Sequence, residues 1–155
     1  MAFAADYAVL YDRLDEELRF ALQPTGDLFA KILGGACSRI AVFNKPQGVS
    51  RIDCLIEAGA WTDAALALIE LELPAWKVRR LICDGGEWIC SLSRRPNLPD
   101  TLDDTVDAHH ELMPLAVLSA FLEARRMTAI GSRAVTSVPG IAPTSHGTIC
   151  CDNFA

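Results

Sequence analysis

No stretch of this chain is apolar for the length a membrane span requires, so no transmembrane helix is expected. The first residues, Met1-Ala2-Phe3-Ala4-Ala5-Asp6, lack a cationic region followed by an apolar one, and no secretory leader is read there. The six cysteines include no C-x-x-C pair, which argues against the common zinc and redox frameworks. Without an export signal they are expected to be reduced thiols in a cytoplasm. Asp152, not cysteine, stands fourth from the end, so no prenylation signal is expected. There is no Gly-x-Ser-x-Gly elbow, and the paired glycines at 34–35 and 85–86 belong to no phosphate-binding or dinucleotide loop. No cofactor is therefore expected. Basic residues are also in the minority. Fourteen Lys and Arg face twenty Asp and Glu, a formal charge of -6, which disfavours nucleic acid and anionic membrane as general partners.

What is present is globular. Of 155 residues, 51% are hydrophobic and 22% charged, enough for one core without metals or disulfides. Phe3, Tyr7, Leu10, Leu14, Leu18 and Ala21 recur at three- and four-residue steps and predict a helix over 4–22, ended by Pro24. Thr25 or Asp27 caps a second helix, which Gly34-Gly35 is expected to stop. Arg39 to Phe43 reads as a short buried strand and Asn44 to Gly48 as a turn. Ser50 and Asp53 have capping-box spacing for a helix closed by Gly59. Another helix is expected over 63–73, before Pro74.

The strongest local signal is a hairpin. Trp76 to Ile82 and Trp88 to Ser93 flank Asp84-Gly85-Gly86-Glu87. With Asp84 opposite Glu87, Cys83 faces Trp88, Leu81 faces Cys90 and Arg79 faces Leu92. Leu81, Cys83, Trp88, Cys90 and Leu92 then form the core face. Lys77 would lie opposite Arg94. Thr101 and Asp104 again have capping-box spacing and predict a helix to Leu112. Pro114 opens or kinks the last helix, whose Leu115, Leu118, Phe121 and Leu122 are apolar and whose end carries Arg125 and Arg126. From Thr128 onward Gly, Ser, Thr, Pro and Ala dominate. Residues 1–127 are thus expected to form a single α+β domain, and 128–155 a disordered tail. Its architecture would be a small antiparallel sheet built on the hairpin, covered on one face by helices.

Three groups of residues can carry chemistry. On a helix, Asp103, Asp107, His110 and Glu111 share one face, and two carboxylates with an imidazole suit a divalent ion or acid–base work. The plainer reading is a solvated acidic face. Trp76, Lys77, Arg79, Arg80, Arg94 and Arg95 collect at the open end of the hairpin, and a tryptophan among arginines suits a contact spot. The plainer reading there is ion pairing with the five acids between Asp100 and Glu111. The thiols are best read as packed and unreactive.

Trp88-Ile89-Cys90-Ser91-Leu92-Ser93-Arg94, with Pro96-Asn97-Leu98-Pro99 and Leu102-Asp103-Asp104 after it, resembles a family of small uncharacterised proteobacterial proteins. The resemblance spans about Trp61 to Arg126. It implies a bacterial cytoplasmic setting and carries no activity or ligand.

The expectation from sequence is a small, soluble, cytoplasmic, non-enzymatic binding or regulatory protein. It would take a protein partner or pair with itself along a sheet edge. The alternative is a metal-dependent enzyme built on Asp103, Asp107 and His110. Nucleic-acid binding through the arginines is a third reading.

Overall fold

The structure, a computed structural model, describes residues 3–37 and 46–134 of the chain. Helix α1 spans Phe3–Phe20, α2 Gly26–Ala36, α3 Pro46–Glu57 and α4 Trp61–Glu72. Strands β1 (Lys77–Asp84) and β2 (Glu87–Ser93) follow, then a 3-10 turn at Asp100–Leu102, strand β3 (Thr105–His110) and helix α5 (Met113–Ala134). The three strands make one antiparallel sheet in the order β1-β2-β3. The fold is α+β, with five described helices and a small open sheet.

α5 is the organising element. Leu115, Ala116, Val117, Leu118, Ala120, Phe121, Leu122 and Ala124 are all buried, more than one stripe of a helix. A helix apolar on most sides must be enclosed. α5 packs on β2 and β3 with one side and on α1 and α4 with the other. Ala116, Ala120 and Ala124 recur every four residues and leave room for close neighbours. The sheet offers Cys90, Leu92 and Val106 to this core, with Trp88 and Leu81 half-buried beside them.

The first two helices follow local rules. In α1, Tyr11, Leu14 and Leu18 are buried at helical spacing. Thr25 caps α2, its hydroxyl accepting from the Leu28 amide at 3.3 Å. Gly34-Gly35 does not stop α2, which runs on to Ala36. A Cβ on Gly35 would sit 3.2 Å from Leu10 Cδ2, so that glycine serves the close crossing of α1 and α2. Lys31 ties the same crossing, with its ammonium 3.1 Å from Glu17.

Helix α3 begins at Pro46, and Ser50 lies inside it, so the capping box expected at Ser50 and Asp53 is replaced by proline in the first turn. Gly59, at φ 71°, does close α3. Its amide donates to Ile56 O at 3.0 Å and the Ala60 amide to Leu55 O at 2.8 Å, the paired bonds of a glycine helix end. α4 starts at Trp61, two residues before the expected boundary, because Trp61 turns in to stack on Phe29 with ring centroids 5.8 Å apart.

Three further expectations need correction. The segment from Thr101 to Leu112 is not a helix; it is a 3-10 turn followed by strand β3. Val106 and Ala108 alternate inward against α5 while Asp107 and His109 face out, and pairing with β2 satisfies a ladder that a helix would leave open. The hairpin register holds from Asp84↔Glu87 to Arg80↔Ser91, then slips. Arg79 is bulged, so Leu92 pairs with Val78 and Lys77 pairs with Ser93 rather than Arg94. The last helix passes the expected boundary at residue 127 and continues to Ala134. The expected strand Arg39–Phe43 and residues 135–155, with Cys150 and Cys151, lie outside the described residues.

Candidate functional site

The hairpin turn is set by Gly85 and Gly86, at φ 59° and 91°. Two successive residues at positive φ make the mirror-image turn that matches strand twist, and glycine takes that backbone without strain. The turn projects β1 along one edge of the sheet, where most of its residues are exposed. α5 covers the face bearing Cys90 and Leu92. The other face carries Arg80, Ile82, Ile89, Ser91, Ser93 and Asp107 in register.

The Arg79 bulge has a visible use. Its guanidinium Nη1 reaches Asp103 Oδ2 at 2.9 Å, across the loop that joins β2 to β3. The Asp103 side chain is fully buried and accepts from Ser93 Oγ and, at 2.9 Å, from the Arg95 amide. Burial raises the Asp103 carboxyl, but the bonds from Ser93, Arg95 and Arg79, with the Arg79 charge, outweigh it and hold the group below the usual carboxylate range. A depressed folded-state pKa contributes stability above the unfolded value that is lost as pH falls. Asp103→Asn is therefore expected to be less stable than the parent at neutral pH. The gap in urea midpoint should close below about pH 4, where the unfolded carboxyl takes up its proton. A gap that stays constant down to about pH 2 would show that the charge is not what stabilises the loop.

The other sequence candidates fall apart in space. Asp107 accepts from Ser91 Oγ, its partner across the ladder. His110 Nε2 lies 3.1 Å from Leu18 O, and its Nδ1 accepts from the Leu112 amide at 3.0 Å. On a strand, residues 107 and 110 point to opposite faces, so the shared face that motivated a metal site does not exist. Among the described residues no group of three or more His, Cys, Asp and Glu side chains converges.

Trp76 is 2% exposed, and its indole Nε1 donates to Thr128 Oγ1 at 3.2 Å. It cannot be the contact residue expected from sequence. It supports the Arg94 guanidinium, 5.8 Å from the ring centroid. Arg94 also approaches Asp104 at 3.9 Å, so the acids after Asp100 do relieve part of the basic cluster. Lys77, Arg80 and Arg95 are exposed and make no ion pair with a described residue. Beside them lie Val78 and Ile82, 39% and 43% exposed on the edge strand. Neither was singled out from sequence; Ile82, opposite Ile89, faces away from α5, while Val78, opposite Leu92, lies on the outer end of the face that α5 covers.

Burial pushes the Cys37 thiol up to about 12, with the Glu72 charge adding to it and Arg125 opposing. Burial and then the Asp107 charge push Cys90 up to about 12. Neither is a thiolate at neutral pH, which removes both as nucleophiles. A shallow apolar groove between α1 and α5 is lined by Tyr7, Tyr11 and Ile130 and rimmed by Asp12 and Arg126, which pair at 3.0 Å. No helix among the described residues is long and apolar enough to cross a membrane. No family model, curated protein or solved structure matches this chain.

Proposed function

We propose that the chain is a small non-enzymatic binding or regulatory protein whose protein partners meet it along the exposed edge strand β1. One observation carries this reading. β1 is an edge strand with exposed Val78 and Ile82 among exposed Lys77 and Arg80. An edge strand presents unpaired amides and carbonyls, and added strands use them. On a chain of net charge -6 this corner reverses the sign of the surface, so it favours protein segments bearing carboxylates. The same net charge weakens the case for nucleic acid. The alternative of a metal-dependent enzyme has less support, because both Asp103 oxygens are taken by Ser93, Arg79 and Arg95, one Asp107 oxygen is taken by Ser91, and Asp107 and His110 point to opposite faces of the strand. We place the protein in the cytoplasm, where the exposed Cys54 and Cys83 stay reduced.

A photocrosslinking residue at 78 or 82, compared with one at exposed Glu16 or Ala30, tests the surface. Protein adducts from 78 and 82 should exceed those from 16 and 30 by about ten-fold, as expected when one patch holds the contact. Equal yields at all positions would remove β1 as the binding surface.

A further inference from the structure

The edge strand also constrains what pairs with it. In a two-residue hairpin the flanking residues exchange hydrogen bonds, here Asp84 and Glu87. Bonding alternates along an antiparallel pair, so Asp84, Ile82 and Arg80 aim their amides and carbonyls at β2. Leu81 and Cys83 aim theirs outward. The Arg79 bulge ends the regular stretch on one side and the turn ends it on the other. Any strand added to this edge is therefore held by Leu81 and Cys83.

We propose that the occupant is β1 of a second copy, antiparallel, in a register centred on Ile82. This rests on the reading of β1 as the binding surface and names its partner. Only registers that bring outward residues opposite outward residues form a ladder. A two-fold centred on Leu81 sets Cys83 against the bulged Arg79. One centred on Cys83 sets Leu81 against Gly85 in the turn. Centred on Ile82, Leu81 of each copy meets Cys83 of the other, and every outward group of both residues is used. The side chains agree with that choice. Arg80 of each copy stands opposite Asp84 of the other, and Ile82 meets its counterpart between the two charge pairs. Arg80 and Asp84 are exposed and have no ion partner among the described residues. Both lie with Ile82 on the face that α5 leaves uncovered. The result is one continuous sheet across a two-fold axis, an isologous interface in which one charge pattern satisfies itself twice.

The test is charge exchange on the full chain. Sedimentation equilibrium between about 1 μM and 1 mM should show a reversible monomer–dimer equilibrium for the parent protein. Arg80→Asp alone or Asp84→Arg alone sets like charges opposite and should raise the dimer dissociation constant by about ten-fold or more. The double variant R80D/D84R should return it to within about three-fold of the parent. Independently, Ile82→Cys, with Cys54, Cys83, Cys150 and Cys151 changed to Ser, should oxidise to a covalent dimer. Directly opposed residues of a non-hydrogen-bonded pair lie about 4.5 Å apart at Cα, within disulfide reach. A parent protein that stays monomeric throughout, or a dimer indifferent to both charge variants, overturns the self-pairing. If photocrosslinks from position 82 then go to other proteins, the binding surface stands and only its occupant changes. If position 82 gives none above the controls, the surface itself fails.

Discussion

Phe121→Ala is expected to lower the unfolding free energy by about 3–5 kcal/mol, read as a lower urea midpoint at unchanged slope. Phe121 has no exposed surface and lies in the middle of α5, between the sheet and the α1/α4 side of the molecule. Removing its ring takes away apolar burial and leaves a cavity whose walls belong to rigid elements that cannot close on it. A domain of this size is stabilised by roughly 5–15 kcal/mol in total, so the loss is a large part of the margin. Because α5 joins sheet and helices, near-ultraviolet and far-ultraviolet circular dichroism should report one shared transition. Phe121→Leu, which keeps most of the volume, should recover more than half of the loss. An alanine variant within about 1 kcal/mol of the parent would show that α5 is not central to the core.

Phe29→Ala is expected to cost a similar amount, about 3–5 kcal/mol, but with a local signature. Phe29 is fully buried in α2 and stacked on Trp61 at the start of α4. That stacking replaces a side-chain cap, since α4 has none. Losing the ring should free the first turn of α4 and expose Trp61. Hydrogen exchange should then quicken in α2 and the start of α4 more than in β2 and α5, as expected of a unit that opens by itself. Uniform acceleration across the chain would show instead that α2 and α4 unfold only with the rest.

The candidate surface was half legible beforehand. Asp84-Gly85-Gly86-Glu87 marks its own turn, and the register from Glu87 to Ser91 follows from it, because two glycines at positive φ leave few ways to join two strands. The slip at Arg79 was not legible. It depends on Asp103, which lies far along the chain and draws the guanidinium across the loop. Trp76 misled for a related reason. Beside three basic residues it looks like a surface anchor, but it is buried in the fold, and Thr128 in α5 accepts a hydrogen bond from its indole N–H. The helix expected at Thr101 to Leu112 failed because Thr101 and Asp104 imitate a capping box, while the demand of β2 for a second neighbour decided the outcome. The alternation of Val106 and Ala108 with Asp107 and His109 was the available signal, and it is short.

The chain alone determined its class, the amphipathic α1, a cap at Thr25 or Asp27, the glycine closing α3 and the tight hairpin. Each of these is settled within a few residues by backbone sterics, periodicity or a single hydrogen bond. Only the folded chain decided that residues 105–110 are a strand, that Asp103 is a buried anchor for Arg79, Ser93 and Arg95, and that Ile82 and Arg80 lie on an open edge. Those outcomes depend on which distant groups compete for the same amides and carboxylate oxygens, and that competition exists only after the sheet and α5 have come together.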